Sequence, residues 1–279
     1  MKHIPVLLDK VLETLGDING HTVVDCTFGA GGYTSAFLER GASVIAFDRD
    51  QTVIPTTDKI KSQYGDKFEF MNKPFSKISE LETHVDAVVF DLGISSMQID
   101  NGDRGFSFRF DGPLDMRMGV GDNAVDLIKK STVEQLVKIL RDYGDVKKAL
   151  PIARAIKETL PETTFGLRDL IFDPKDIAPV FQALRIAVND ELGEVSRALE
   201  YVTKILKPGG ICVCVTFHSL EDRLVKNTFR EWTTPVGDPR MPIVKKPEFE
   251  LLKTFTPSDE DLEFNPRARS AHLRAVKKL

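Results

Sequence analysis

Asp25-Cys26-Thr27-Phe28-Gly29-Ala30-Gly31-Gly32-Tyr33-Thr34 is the stretch on which the fold turns. It follows the short β-branched run Thr22–Cys26 and precedes Thr34–Arg40, a helix-forming segment stopped by Gly41. Strand, glycine-rich turn and helix in that order form the first unit of a sheet wound with helices. Glycines at 29, 31 and 32 let the backbone approach a ligand closely, beside the free N–H groups of a helix N-terminus. A dinucleotide site needs a third glycine at the position of Thr34, so that fingerprint fails.

Outward from the turn, the strand signals repeat. Ser43–Phe47 ends at Asp48, Phe68–Met71 is a weaker run, and Asp86–Phe90 ends at Asp91. Short apolar strands separated by helices predict a mostly parallel sheet buried on both faces. Asp48 lies at the end of the second strand, where a carboxylate accepts from both ribose hydroxyls of a nucleoside. A D-x-T-x-G-x-G-G turn with a second-strand acid resembles class I methyltransferases, which bind adenosine and a sulfonium amino acid. The plain alternative is a glycine-rich turn with an incidental acid.

Ligands of open α/β sheets sit at the carboxyl ends of the strands, so Asp91 is a candidate for the chemistry. Downstream, Arg104 to Met118 alternates aromatics with Arg and Asp. Phe106 is a candidate to stack a base, and Arg104, Arg109 and Arg117 to meet phosphate, against the alternative of a plug under a loop. Thr216 to Arg223 reads as another strand-to-helix junction; His218 lies just past the strand end, where its side chain can face the pocket as a second catalytic candidate, against the alternative of a structural histidine, and Ser219 and Asp222 have capping-box spacing.

From about residue 106 the pattern becomes helical: Val133, Leu136, Val137 and Leu140 share one face, as do Ile152, Ile156 and Leu160. Strand character returns only at Ile211–Phe217, after the turn Lys207-Pro208-Gly209-Gly210. The expected organisation is a discontinuous α/β domain, 1–111 and 186–279, with an inserted helical subdomain at 112–185. One long helix, about Phe181 to Leu206, is expected to lead back into the sheet. Leu251–Phe255 and His272–Lys277 are expected as the last strands. Cys26, Cys212 and Cys214 lie in apolar runs without metal-ligand spacing, which points to reduced, buried thiols in the cytoplasm. No metal is expected. No uncharged run is long enough to span a membrane, and Asp9 interrupts the N-terminal apolar run. The net charge is −4, so any nucleic-acid footprint must be local. The C-terminal segment supplies one in Arg267, Arg269, Arg274, Lys277 and Lys278, with no acid among its last sixteen residues.

Together, HIPVLL, DCTFGAGG, DRD, DLGISSMQID, RGFSFRFDGPLDMRM, FQALRIAVNDEL, LKPGG, FHSLEDR and NPRARSAHLR span almost the whole chain. In that order they closely resemble the bacterial small-subunit rRNA cytosine-N4 methyltransferases of the MraW type. The resemblance implies a class I fold with a helical insertion. It implies S-adenosylmethionine contacts at Gly31, Gly32, Tyr33, Asp48, Phe75, Asp91 and Gln98, with Phe75 against adenine. Tyr33 stands where that family usually has His, and Lys175–Val180 replaces a more basic stretch; these departures bear on the target more than on the cofactor.

The expected function is methyl transfer from S-adenosylmethionine to cytidine N4 in small-subunit rRNA, free or within a subunit, by a monomer or homodimer. Two rivals are a methyltransferase for small molecules or proteins, and an RNA-binding assembly factor that has kept the fold without turnover. A NAD enzyme is a distant third reading, because Thr34 breaks the dinucleotide fingerprint.

Overall fold

The structure is a computed structural model and describes residues 5–235 and 246–279, with backbone alone at Phe264, Pro266 and Arg267. The strands are β1 (Thr22–Asp25), β2 (Ser43–Phe47), β3 (Phe68–Met71), β4 (Val85–Asp91), β5 (Leu206–Thr216), β6 (Phe249–Leu251) and β7 (His272–Lys278). The helices are α1 (Leu8–Leu15), α2 (Gly32–Glu39), α3 (Ile54–Tyr64), α4 (Ser96–Asp100), α5 (Ala124–Lys130), α6 (Val133–Gly144), α7 (Ala149–Thr159), α8 (Thr164–Arg168), α9 (Pro174–Asn189), α10 (Glu191–Ile205), α11 (Ser219–Thr233) and α12 (Asp259–Phe264).

The chain divides into two compact units, Met1–Gly93 with Leu192–Leu279, and Ile94–Glu191. Both boundaries read from the change in periodicity, 112 and 185, lie inside the second unit.

The first unit is built on one sheet of order β3-β2-β1-β4-β5-β7-β6. From β3 to β5 every pairing is parallel, and β7 runs antiparallel to both β5 and β6. The period-2 alternation of side chains assigns each strand to two cores. Val23, Val89, Val213 and Val215 pack on one face with Val11 of α1 and Phe37 of α2. Val24, Val88, Phe90, Cys212 and Cys214 pack on the other with Val202 of α10 and Phe229 of α11. Each buried Val or Phe contributes roughly 1.5–3 kcal/mol. All three cysteines are buried and free.

Three expectations are corrected. The Lys207–Gly210 turn does not precede β5 but bulges within it: Val85 pairs with Leu206 and Ala87 already with Ile211, with Gly209 at φ +80°. The strand expected at Leu251–Phe255 is Phe249–Leu251, and Phe255 makes only an isolated bridge to Leu273. The single long helix is two, α9 and α10, broken at Asp190 in the left-handed region at φ +48°.

The second unit is helical around Leu136, Leu140, Ile152, Ile156, Val180 and Leu184. The α6 face is the one read from its spacing, with Leu136 and Leu140 buried and Val133 and Val137 packed beside them. Leu160 departs from its expected face, because it caps α7 in a left-handed conformation. Asn189 holds the Pro113–Met118 segment from below, accepting from Met118 N–H at 2.8 Å and donating to Met116 C=O at 2.7 Å. Met116 is the left-handed residue of that segment, at φ +61°.

Candidate active site

The first unit gathers its polar residues at the carboxyl ends of β1, β2, β4 and β5. In the turn after β1, Gly29 and Gly31 have φ of +52° and +78°. A β-carbon on Gly31 would meet the Phe28 ring at 3.0 Å, and one on Gly32 the Pro5 ring at 2.3 Å. The glycines are therefore required by conformation and by close packing of the chain on itself. Tyr33 is buried, and its hydroxyl donates to the Val6 carbonyl. Asp48 shapes the same turn: its Oδ2 accepts from Gly29 N–H at 2.9 Å and its Oδ1 from Asp50 N–H at 2.8 Å. Phe75 follows β3, half-buried and edge-on to Phe90 at 5.6 Å.

Four acids define the electrostatics. Asp25 is buried, accepting from Thr27 N–H at 3.1 Å and from the Thr34 hydroxyl at 2.7 Å. Burial outweighs those bonds and pushes its carboxyl up to about 6. Burial also raises Asp48. Asp91 is raised well above the usual carboxylate range, by burial first and then by the charges of Asp25 and Glu221. Its own N–H is pinned by Thr27 Oγ1 at 2.7 Å, which fixes the end of β4 against β1.

His218 is the N-cap of α11. Its Nδ1 accepts from Glu221 N–H at 3.4 Å, and Glu221 Oε2 accepts from His218 N–H at 3.4 Å and Phe217 N–H at 2.9 Å. The capping pair is thus His218 and Glu221, one residue before the expected Ser219 and Asp222. Histidine is an unusual cap, so the spacing drew attention to the serine instead. Nε2 of His218 lies 3.0 Å from Glu221 Oε1, off the hydrogen-bond axis. Among the described residues, Asp91 Oδ1 and His218 Nε2 are the buried side-chain polar atoms without a hydrogen-bond partner. Buried polar atoms are almost always paired, so two orphans at the ends of adjacent strands make these strand ends the candidate ligand site.

A family model for the MraW methylase family matches residues 1–279. The chain belongs to the MraW methylase family. Ribosomal RNA small subunit methyltransferase H of Sinorhizobium fredii is 45% identical over 300 residues, covering 99% of this chain and 87% of that one. The enzyme of the same name from Rhizobium meliloti is 44% identical over 300 residues with the same coverage. That from Mesorhizobium japonicum is 45% identical over 294 residues. Among solved structures, an rRNA methylase from Streptococcus thermophilus is similar over 100% of this chain and 99% of its own, at 14% identity and a TM-score of 0.48.

As a MraW-family methylase the protein uses S-adenosylmethionine, and the donor set fits that cofactor. A sulfonium and an ammonium are cations, and the strand ends offer Asp25 and Glu221, both buried, and Asp91, half-buried with its Oδ1 buried and its carboxyl raised in part by the charges of the other two. Asp48 keeps lone pairs for a ribose while its backbone bonds hold it in place.

The remaining sequence candidates belong to the second unit or to the C-terminal segment. In the second unit, Gln98 is buried and closes the α4 capping box, accepting from Ser95 N–H at 3.0 Å. Arg104 donates to the Arg117 carbonyl at 2.8 Å, and Arg117 clasps Asp115 at 2.8 and 2.6 Å. Phe106 is buried, whereas Arg109 is exposed. Of the C-terminal cations, Arg269 is exposed, Arg274 is bidentate on Asp222 at 2.7 and 3.0 Å, and the Arg267 side chain lies outside the described residues. Lys278 closes the α10 end by donating to the Thr203 and Leu206 carbonyls at 2.6 and 2.8 Å. Sequence reasoning carried Asp25 and Thr27 only as the first and third positions of the D-x-T-x-G-x-G-G turn, without a role of their own, and missed Glu221, which only the His-x-x-Glu spacing signalled.

Proposed function

We propose that this protein transfers the methyl group of S-adenosylmethionine to the exocyclic N4 of a cytidine in small-subunit ribosomal RNA, in the cytoplasm, on RNA that is assembled or assembling into a subunit. The observation that carries this reading is the unpartnered, buried Asp91 Oδ1 at the end of β4, in a chain whose relatives are named small-subunit rRNA methyltransferases. In this reading Gly29, Gly31, Gly32, Tyr33, Asp48 and Phe75 hold the cofactor.

Cytosine N4 is a weak nucleophile because its lone pair is delocalised into the ring. An acceptor on an N4 hydrogen favours a pyramidal nitrogen and stabilises the positive charge that develops there. Asp91 supplies that acceptor, fixed by Thr27 through its N–H, and takes up the proton that N4 loses after methylation. The bound cofactor supplies the electrophilic methyl; everything else is alignment of N4 with it, and alignment of this kind is worth about 7–11 kcal/mol in favourable cases. The base must leave its stack to reach the buried Oδ1 of Asp91. Labelled methyl transfer to small-subunit RNA, compared with small amines and proteins, tests the reading.

Three expectations follow for binding. Deprotonated carboxylates attract the cationic cofactor, and Asp25 titrates at about 6 with Asp91 above its usual range. Affinity for S-adenosylmethionine should therefore rise with pH from 5 to 8, releasing protons, while stability of the free protein falls as pH rises through about 6. Calorimetry in buffers of different ionisation heat reads both, and a pH-independent affinity removes these acids from the site. Asp48→Ala should weaken cofactor binding by roughly 1.5–3 kcal/mol, the scale of a hydrogen bond to a charged group. Unchanged affinity takes Asp48 out of the site. Neutralising the exposed Arg269 and Lys277 should flatten the salt dependence of RNA binding by about 0.7–0.9 in slope per lost phosphate contact. An unchanged slope makes this edge merely solvated.

A further inference from the structure

His218 and Glu221 point to a second duty of the site, resting on the cytosine reading above: recognition of the target base by its Watson–Crick edge. His218 is fixed in orientation by the capping box, whose Nδ1 accepts the Glu221 N–H. A ring nitrogen that accepts carries no proton, so in the neutral imidazole the proton is on Nε2. That makes Nε2–H a buried donor with no directed partner, while Asp91 Oδ1 is a buried acceptor with none. The two sit at the ends of neighbouring strands: Asp91 is in register with Val215, and Leu92 N–H donates to the Val215 carbonyl at 2.9 Å, three residues before His218.

We propose that His218 is a specificity-determining residue, which donates from Nε2 to N3 of the base while Asp91 accepts from its N4 amino group. Cytosine presents a donor at N4 beside an acceptor at N3. Uracil presents an acceptor at O4 beside a donor at N3, the reverse pattern, and would leave both protein atoms facing like groups. Uracil is thus rejected by two mismatches at once, which costs more than the loss of either bond because the protein groups stay buried and unpaired. Glu221 is a positioning residue in this scheme. Its two backbone bonds keep the cap closed, and its Oε1, 3.0 Å from Nε2, favours a proton on that nitrogen.

The test is inhibition of labelled methyl transfer to small-subunit RNA by free nucleosides. 3-Deazacytidine keeps the N4 amino group but replaces N3 by C–H. With wild-type protein, cytidine should inhibit at concentrations roughly tenfold lower than 3-deazacytidine, the worth of one neutral hydrogen bond. In His218→Asn the cap survives, because asparagine is a favoured N-cap, but the far ring nitrogen is gone. That variant should melt close to wild type, bind S-adenosylmethionine as before, and inhibit equally with both nucleosides. Equal potency of the two nucleosides on wild-type protein, including no inhibition by either, overturns the proposal without needing the variant to fold. So does a preference for cytidine that persists in His218→Asn. A wild-type protein that methylates no RNA at all instead sinks the functional reading on which this rests.

Discussion

Asp91→Ala is expected to lower kcat for methyl transfer by about 10²–10³ while affinity for RNA stays near wild type. That is the scale for removing one preorganised electrostatic partner from a reacting centre. The fold should tolerate the change. Asp91 is half-buried, feels the charges of Asp25 and Glu221, and its buried Oδ1 has no hydrogen-bond partner, so truncation removes a repulsion rather than a bond. The Thr27 contact also survives, because it is made by the Asp91 backbone N–H. A competing duty is to hold the cationic end of S-adenosylmethionine. In that case the apparent KM for the cofactor rises and kcat at saturation is preserved. Single-turnover rates at saturating cofactor separate the two, and normal chemistry in the variant would leave Asp91 as a binding residue alone.

The second large effect is on stability. Arg185 and Glu191 form a two-pronged ion pair in the second unit, at 2.8 and 2.9 Å, with side-chain exposures of 12% and 7%. Arg185→Ala leaves the Glu191 carboxylate buried beside no matching charge, a change that typically costs about 3–5 kcal/mol. Arg185 also accepts, through its carbonyl, the Asn189 amide that reaches Met116, so the pair braces the base of the Pro113–Met118 segment. Denaturant unfolding should show this loss, with a lesser one for Arg185→Met, which keeps the packing. An Arg185→Ala protein within 1 kcal/mol of wild type, well below the expected scale, would mean the pair is replaced by water at no cost.

How much of this was legible in the sequence follows from what each residue touches. β1 to β4 were readable because strands buried on both faces are short β-branched runs bounded by glycine or aspartate, and Asp48 and Asp91 stood out as acids ending such runs. The break between α9 and α10 was not, because apolar spacing continues across Asp190 and only the backbone conformation changes there. Charged side chains were the least readable. Arg104, Arg117 and Arg274 look alike as phosphate ligands in a sequence, yet each spends its donors inside the protein on partners, and one of those partners is 52 residues away. The same limit hid the site's organisation: Thr27 and Asp91 are 64 residues apart, and only the parallel pairing of β1 with β4 brings them together.

Nucleoside mass spectrometry of small-subunit rRNA, from cells with and without this protein, tests the central claim most directly. N4-methylated cytidine should be present with the wild-type protein, absent without it, and not restored by Asp91→Ala. The same level of N4-methylated cytidine in all three would contradict the account.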